Sequence, residues 1–142
     1  MNIKKVLTRF ALCFIFSFVV SNYTLNQQGV THMSTRATYQ FISEWSGTHT
    51  AYIHHDGYPE GAAEYFYGTS TILNINTFIR SNIRAEMTAS HEIHGDTEYR
   101  YTVVEGTRLI AQNRVGFTDK FDTFFDGSVA DFVQGYRLSR SA

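Results

Sequence analysis

Two short stretches of the chain gather the side chains that could do chemistry. The run from His54 to Gly61 packs His54, His55, Asp56 and Glu60 together with Gly57, Gly61 and the only proline, Pro59, and His91-Glu92-Ile93-His94-Gly95-Asp96 forms the second cluster. Imidazoles and carboxylates are the ligands of divalent metals. His54, Asp56, His91 and His94 therefore make a candidate zinc or manganese set for a hydrolase, provided that two loops meet at one end of a sheet. The spacing limits what either stretch can do alone. Adjacent residues on a strand, such as His54 and His55, point to opposite faces, and so do residues three apart, such as His91 and His94. His91 to His94 is also one residue short of the His-Glu-x-x-His metalloprotease pattern.

The same residues admit a metal-free reading. A histidine of the first run could share a proton with Glu60, Glu64 or Glu92, but the spacing selects no pair, and general acid–base work needs a common cleft and shifted pKa values. No Gly-x-Ser-x-Gly elbow and no glycine-rich phosphate loop occurs, which sets aside serine hydrolases of that type and nucleotide-cofactor enzymes. Arg80 and Arg84 lie one helical turn apart, and Tyr99 and Tyr101 share a strand face. This would suit nucleic acid only with a basic body. A binding surface with no cofactor is the remaining reading: His54, Asp56, Tyr58 and Glu60, with Tyr52 and Tyr65 beside them, would contact a host protein or a small ligand. Trp45 and Tyr67 add to the aromatic concentration there, since exposed aromatics anchor interfaces and buried ones fill cores.

The N-terminus is different in kind from the rest. Lys4, Lys5 and Arg9 precede an apolar run from Phe10 to Val20, the pattern of a secretory signal peptide, and the run is short for a membrane-spanning helix. Met33 offers a competing start, because Gln28-Gly29-Val30 is compatible with codons containing a purine-rich ribosome-binding sequence. Residues 1–32 are thus a signal-like segment or an upstream extension, and residues 33–142 a single domain. Starting at Met33 implies a cytoplasmic product, and cleavage near Asn22 an exported structural or adhesive one. Without Lys4, Lys5 and Arg9 the body has nine basic residues against thirteen acidic ones, a net of −4, which argues against nucleic acid. Cys13 lies in the leader, so the body has no thiol for a disulfide or a metal. Nothing in the body calls for a membrane.

The elements that must position these groups follow from periodicity. Arg36 to Ser43 and Thr50 to His55 alternate as the strands of an opening hairpin. Pro59 suits the first turn of a helix ending near Gly68. Asn74 or Asn76 would cap a second helix with Phe78, Ile79, Ile83 and Met87 on one face. Ala89 to His94, Thr97 to Val104 and Thr107 to Arg114 read as a meander joined at Gly95-Asp96 and Glu105-Gly106, with Phe121 to Phe125 as a fourth strand. Ser128 opens a last helix with a stripe of Val129, Phe132, Val133 and Tyr136. The expectation is an α+β domain: an antiparallel sheet, made of a hairpin plus a three- or four-stranded meander, with two or three helices packed on one face.

Met33-Ser34-Thr35-Arg36 opening a strand, followed after a hairpin by His54, Asp56, Gly57, Tyr58, Pro59 and Glu60, resembles a loose set of small uncharacterised proteins from bacteria, prophages and phages. Those proteins begin with Met, Gly or Ser, Thr, Arg and carry a His-x-Asp-Gly-Tyr-Pro-Glu-like motif. The resemblance covers the body from Met33 onward. It implies a cytoplasmic accessory protein of a mobile element, acting on a host component or defence system, and it transfers no catalytic role to any residue.

Overall fold

Alternation in the first apolar run decides how the sheet is built. The computed structural model describes residues 34–69 and 73–141; the candidate leader, residues 1–32, lies outside them. In β1 (Ala37–Ser43), Ala37, Tyr39 and Phe41 share one face and are buried. A turn returns the chain as β2 (Gly47–Ile53), with Tyr39 opposite Ala51 and Thr38 opposite Tyr52. Then follow α1 (Pro59–Gly68), α2 (Ile75–Ser81), β3 (Glu86–Thr88), β4 (Tyr99–Val104), β5 (Arg108–Arg114), β6 (Phe121–Ser128) and α3 (Val129–Ser141).

The six strands lie in the order β3-β2-β1-β4-β5-β6. The sheet is mixed, which corrects the expected antiparallel arrangement: β1 and β4 run parallel, with Tyr39 beside Tyr101. The opening hairpin covers only one edge of β1. The chain comes back to the other edge through α1, α2 and β3, a connection long enough to bring β4 in with the same direction. Only β4, β5 and β6 form a meander.

Two local expectations also fail, for identifiable reasons. The run Ala89 to His94 is not a strand; β3 ends at Thr88 and the chain loops to β4. A strand would place His91 and Ile93 on one face, whereas the loop buries His91 and leaves Ile93 62% exposed. The second helix stops at Ser81, because the Asn82 side chain donates Nδ2–H to the Phe78 carbonyl while its backbone N–H donates to Phe78 and Ile79. Ile83 is consequently left exposed and Met87 joins β3. The start of α2 follows its cap: Asn74 accepts from the Thr77 N–H, and Thr77 Oγ1 accepts from the Asn74 N–H.

One apolar cluster joins helices and sheet. Phe66 of α1 and Phe78 of α2 meet Tyr39 at ring-centroid distances of 5.7 and 4.9 Å, and Phe132 of α3 meets Tyr101 at 5.9 Å. Each such buried ring contributes about 2–3 kcal/mol of apolar burial. The register shifts in β6, where Ala111 faces Phe125 and Gln112 faces Thr123, so Phe124 is an extra residue. This bulge lets two consecutive phenylalanines pack on the core, Phe125 against Phe132 and Phe124 against Tyr99 and Tyr136. Among the described residues, no helix is long and apolar enough to cross a membrane.

Candidate functional site

The run from His54 to Gly61 forms the corner between β2 and α1, and its small residues are needed to make that corner. Asp56 adopts a left-handed φ of 56°. The Gly57 N–H donates to the Thr35 carbonyl at 2.8 Å, and a Cβ at Gly57 would come within 2.6 Å of the Ala37 Cβ. A Cβ at Gly61 would collide with the Asp56 carbonyl oxygen. Pro59 occupies the first turn of α1, where its missing donor costs nothing, and Glu60 lies near the helix's positive end. Two phenols brace the corner: Tyr101 donates to the Gly57 carbonyl at 2.7 Å and Tyr65 to the His55 carbonyl at 3.0 Å. The side chains of His54, His55 and Asp56 are left exposed, with Tyr58 and Glu60 half-buried.

The tyrosines expected beside this run do not join one surface. Tyr65 packs edge-on to Tyr39 at 6.1 Å, on the face of the sheet that carries Ala37, Tyr39 and Phe41. Tyr52 faces the other side and is 2% exposed. Its hydroxyl donates to Asp96 Oδ2 at 3.0 Å, and burial together with that carboxylate pushes its pKa up to about 12.

That other side is covered by the loop of residues 89–98, a polar strap. His91 is 6% exposed and spends both ring nitrogens on hydroxyls, Nδ1 with Thr38 Oγ1 at 2.6 Å and Nε2 with Thr102 Oγ1 at 3.1 Å. Burial, reinforced by the Arg100 guanidinium, lowers its pKa to about 4, so the ring is neutral near pH 7. His94 stacks on Tyr52 with centroids 3.9 Å apart and bonds Thr88 Oγ1 through Nε2. Asp96 pairs with Arg36 at 3.0 Å, and Arg114 Nε donates to the Thr97 carbonyl at 2.8 Å. Arg100 reaches Glu92 at 3.9 Å while lying over the Phe121 ring.

The four residues of the metal hypothesis are thus dispersed. His54 and His94 both touch Tyr52, His54 also facing Glu86 at 3.5 Å. His91 is tied to Thr38 and Thr102, and Asp56 is exposed at the β2–α1 corner. Among the described residues, no group of three or more histidine, cysteine, aspartate and glutamate side chains is arranged to hold a metal ion. Thr38, Thr102, Arg36 and Arg114, which hold the strap, were not singled out from the sequence. The signal was the polar residues at the first two even positions of each strand, Thr38 and Gln40 in β1 and Arg100 and Thr102 in β4.

The other end of β1 carries a feature that no motif announced, an open cleft of about 720 Å³. Ser43, Ser46 and His49 of the first hairpin form one wall, and Leu73, Ile75 and Ile79 around α2 supply apolar lining. Met87 of β3 and the β4–β5 turn at Glu105-Gly106-Thr107 complete it. His49 Nε2–H donates to the Ser46 carbonyl at 2.7 Å, and Glu105 Oε1 accepts from the Glu44 N–H at 2.7 Å. Trp45, at the tip of the same hairpin, is 95% exposed.

Comparison with known proteins adds no relative: no family model matches the chain, and no curated protein or solved structure matches it.

Proposed function

We propose that the protein is a non-enzymatic binding module of phage or prophage type, which engages a host component through the cleft at the Ser43 end of β1. In this reading the three helices form a single layer on the Tyr39 side of the sheet and serve as scaffold. The observation that carries the proposal is the cleft itself: a concave, partly apolar space beside a fully exposed tryptophan. Concave sites with apolar lining and a few polar groups are where ligands bind, and Trp is among the residues enriched at interface hot spots. The motif run fits a structural part better than a contact surface, because its glycines and proline are spent on the corner and its carbonyls accept from Tyr65 and Tyr101. Its resemblance to phage and prophage proteins supports the setting.

The test is retention of a host protein from a bacterial extract by three forms of the protein: wild type, Met87→Lys in the cleft, and His54→Ala/His55→Ala in the motif. Both sets of side chains are largely exposed, so all three forms should fold alike. Retention by wild type and the histidine variant, with loss at least tenfold for Met87→Lys, is the expected result. Loss in the histidine variant with retention by Met87→Lys would move the contact surface to the motif.

A further inference from the structure

The edge of the sheet next to the cleft is incomplete. β3 pairs with only Thr50, Ala51 and Tyr52 of the seven residues of β2. On the edge of β2 that faces away from β1, no strand lies beside Gly47, Thr48 and His49 among the described residues. The outward N–H and C=O groups of such an edge are a template for another extended chain.

Resting on the binding reading above, we propose that the cleft receives an extended peptide segment, added to β2 as a strand in line with β3, with an apolar residue and a Lys or Arg two positions later. The register sets the direction. β3 runs antiparallel to β2 and leaves the sheet at Thr88, opposite Thr50, so a segment continuing its line would pass His49 first and Gly47 two residues later. Side chains alternate between faces. Met87 is opposite Ala51, which in turn is opposite Tyr39, and His49 is opposite Phe41, so both lie on the helix side of the sheet. A residue set against His49 therefore turns its side chain to the same side, where Ile75, Ile79 and Met87 offer apolar surface. The residue against Gly47 points the same way.

Charge selects the second side chain. Among the described residues, Glu105 is the only carboxylate lining the cleft, and no Lys or Arg lines it. One carboxylate oxygen is bonded to the Glu44 N–H, and the other has no partner among the described residues. An acidic group on an otherwise uncharged wall complements a basic side chain.

The probe is the blocked pentapeptide Ac-Thr-Val-Thr-Lys-Thr-amide, titrated against the full chain while the emission of Trp45, the single tryptophan, is followed. Two further peptides carry N-methyl groups on alternate amides, one on the amides that face β2 and one on those that face away. The expected result is a saturable emission change with the parent, a loss of at least tenfold for one methylated isomer and little change for the other. Glu105→Gln, or Glu in place of the peptide lysine, weakens binding about fivefold. No saturable change with the parent, equal binding by both methylated isomers, or indifference to Glu105→Gln would each overturn the proposal. These outcomes are separate from the extract experiment: if Met87→Lys still abolishes retention there, the binding module stands and strand addition alone falls. If Met87→Lys retains the host protein like wild type, the assignment of the contact surface to the cleft falls as well.

Discussion

At the Ala37 end of β1 the polar side chains are spent on one another, while at the Ser43 end the sheet leaves part of its own edge uncovered. His91 lies between two threonine hydroxyls, Tyr52 is held by Asp96 and stacked by His94, and Arg114 ties the strap to β5. At the far end, among the described residues, three residues of β2 have no strand on the edge away from β1, and a cleft of about 720 Å³ opens next to an exposed tryptophan. The two stretches densest in histidines and carboxylates both lie at the Ala37 end, where His91 is buried while His54, His55 and Asp56 stay exposed. Ionisable residues cluster for structural as well as functional reasons, and an unpaired edge leaves no comparable mark on composition.

The largest expected effect breaks the closed end outright. Gly61→Ala forces a methyl group into the Asp56 carbonyl, a backbone atom with no flexible side chain to yield. A loss of about 3 kcal/mol or more is expected in urea unfolding, at the upper end of overpacking costs. Gly47→Ala, at the open end, meets nothing within 4 Å but sits at φ 80°, so its cost is limited to backbone strain of about 1 kcal/mol. Equal losses at the two glycines would remove the contrast between the ends.

The next effect depends on pH. His91 has a folded pKa near 4 against an ordinary value of 6.5. As pH falls below about 6.5 the unfolded chain takes up the proton first, so stability drops, and the drop is complete near pH 4 where the folded ring is protonated too. The difference is worth about 3 kcal/mol. Above pH 6.5 the ring contributes no pH dependence. Urea unfolding of wild type and His91→Gln across this range checks the point: the difference between them should change by that amount between pH 6.5 and 4. A difference that stays constant would mean that the strap does not hold His91 away from water.

How much of this was legible in the sequence follows from the same contrast. Alternation in Ala37, Tyr39 and Phe41 and the stripe of Phe132, Val133 and Tyr136 marked real elements, because local periodicity reports which face is buried. The parallel pairing of β1 with β4 was not legible, since it depends on a return across more than fifty residues that no local pattern encodes. Asn82 ended α2 through a side-chain bond to Phe78, although the apolar spacing of Ile83 and Met87 continued beyond it. His54, Asp56, His91 and His94 were recognisable as a chemical set, yet their geometry depended on Thr38, Thr102 and Tyr52, whose types are ordinary for strands. The cleft has no sequence signature because its lining comes from four separated segments, none distinctive by itself.

The smallest expected effects compare two stacked tyrosines, Tyr39 and Tyr101, whose rings lie 5.1 Å apart in the core. They differ in what their hydroxyls meet. Tyr101 donates to the Gly57 carbonyl and so links β4 to the β2–α1 corner, whereas the Tyr39 hydroxyl is buried with no hydrogen-bond partner among the described residues. Tyr101→Phe leaves the Gly57 carbonyl without its donor, and a loss of about 1–2 kcal/mol follows. Tyr39→Phe removes a buried polar atom that gains nothing in the folded state, so stability should be unchanged or higher by up to about 1 kcal/mol. Thermal or urea unfolding of the two variants side by side measures the difference. Similar losses for both would show that the Tyr39 hydroxyl has a partner in solution, and that the closed end extends through the core to the Tyr39 face of β1.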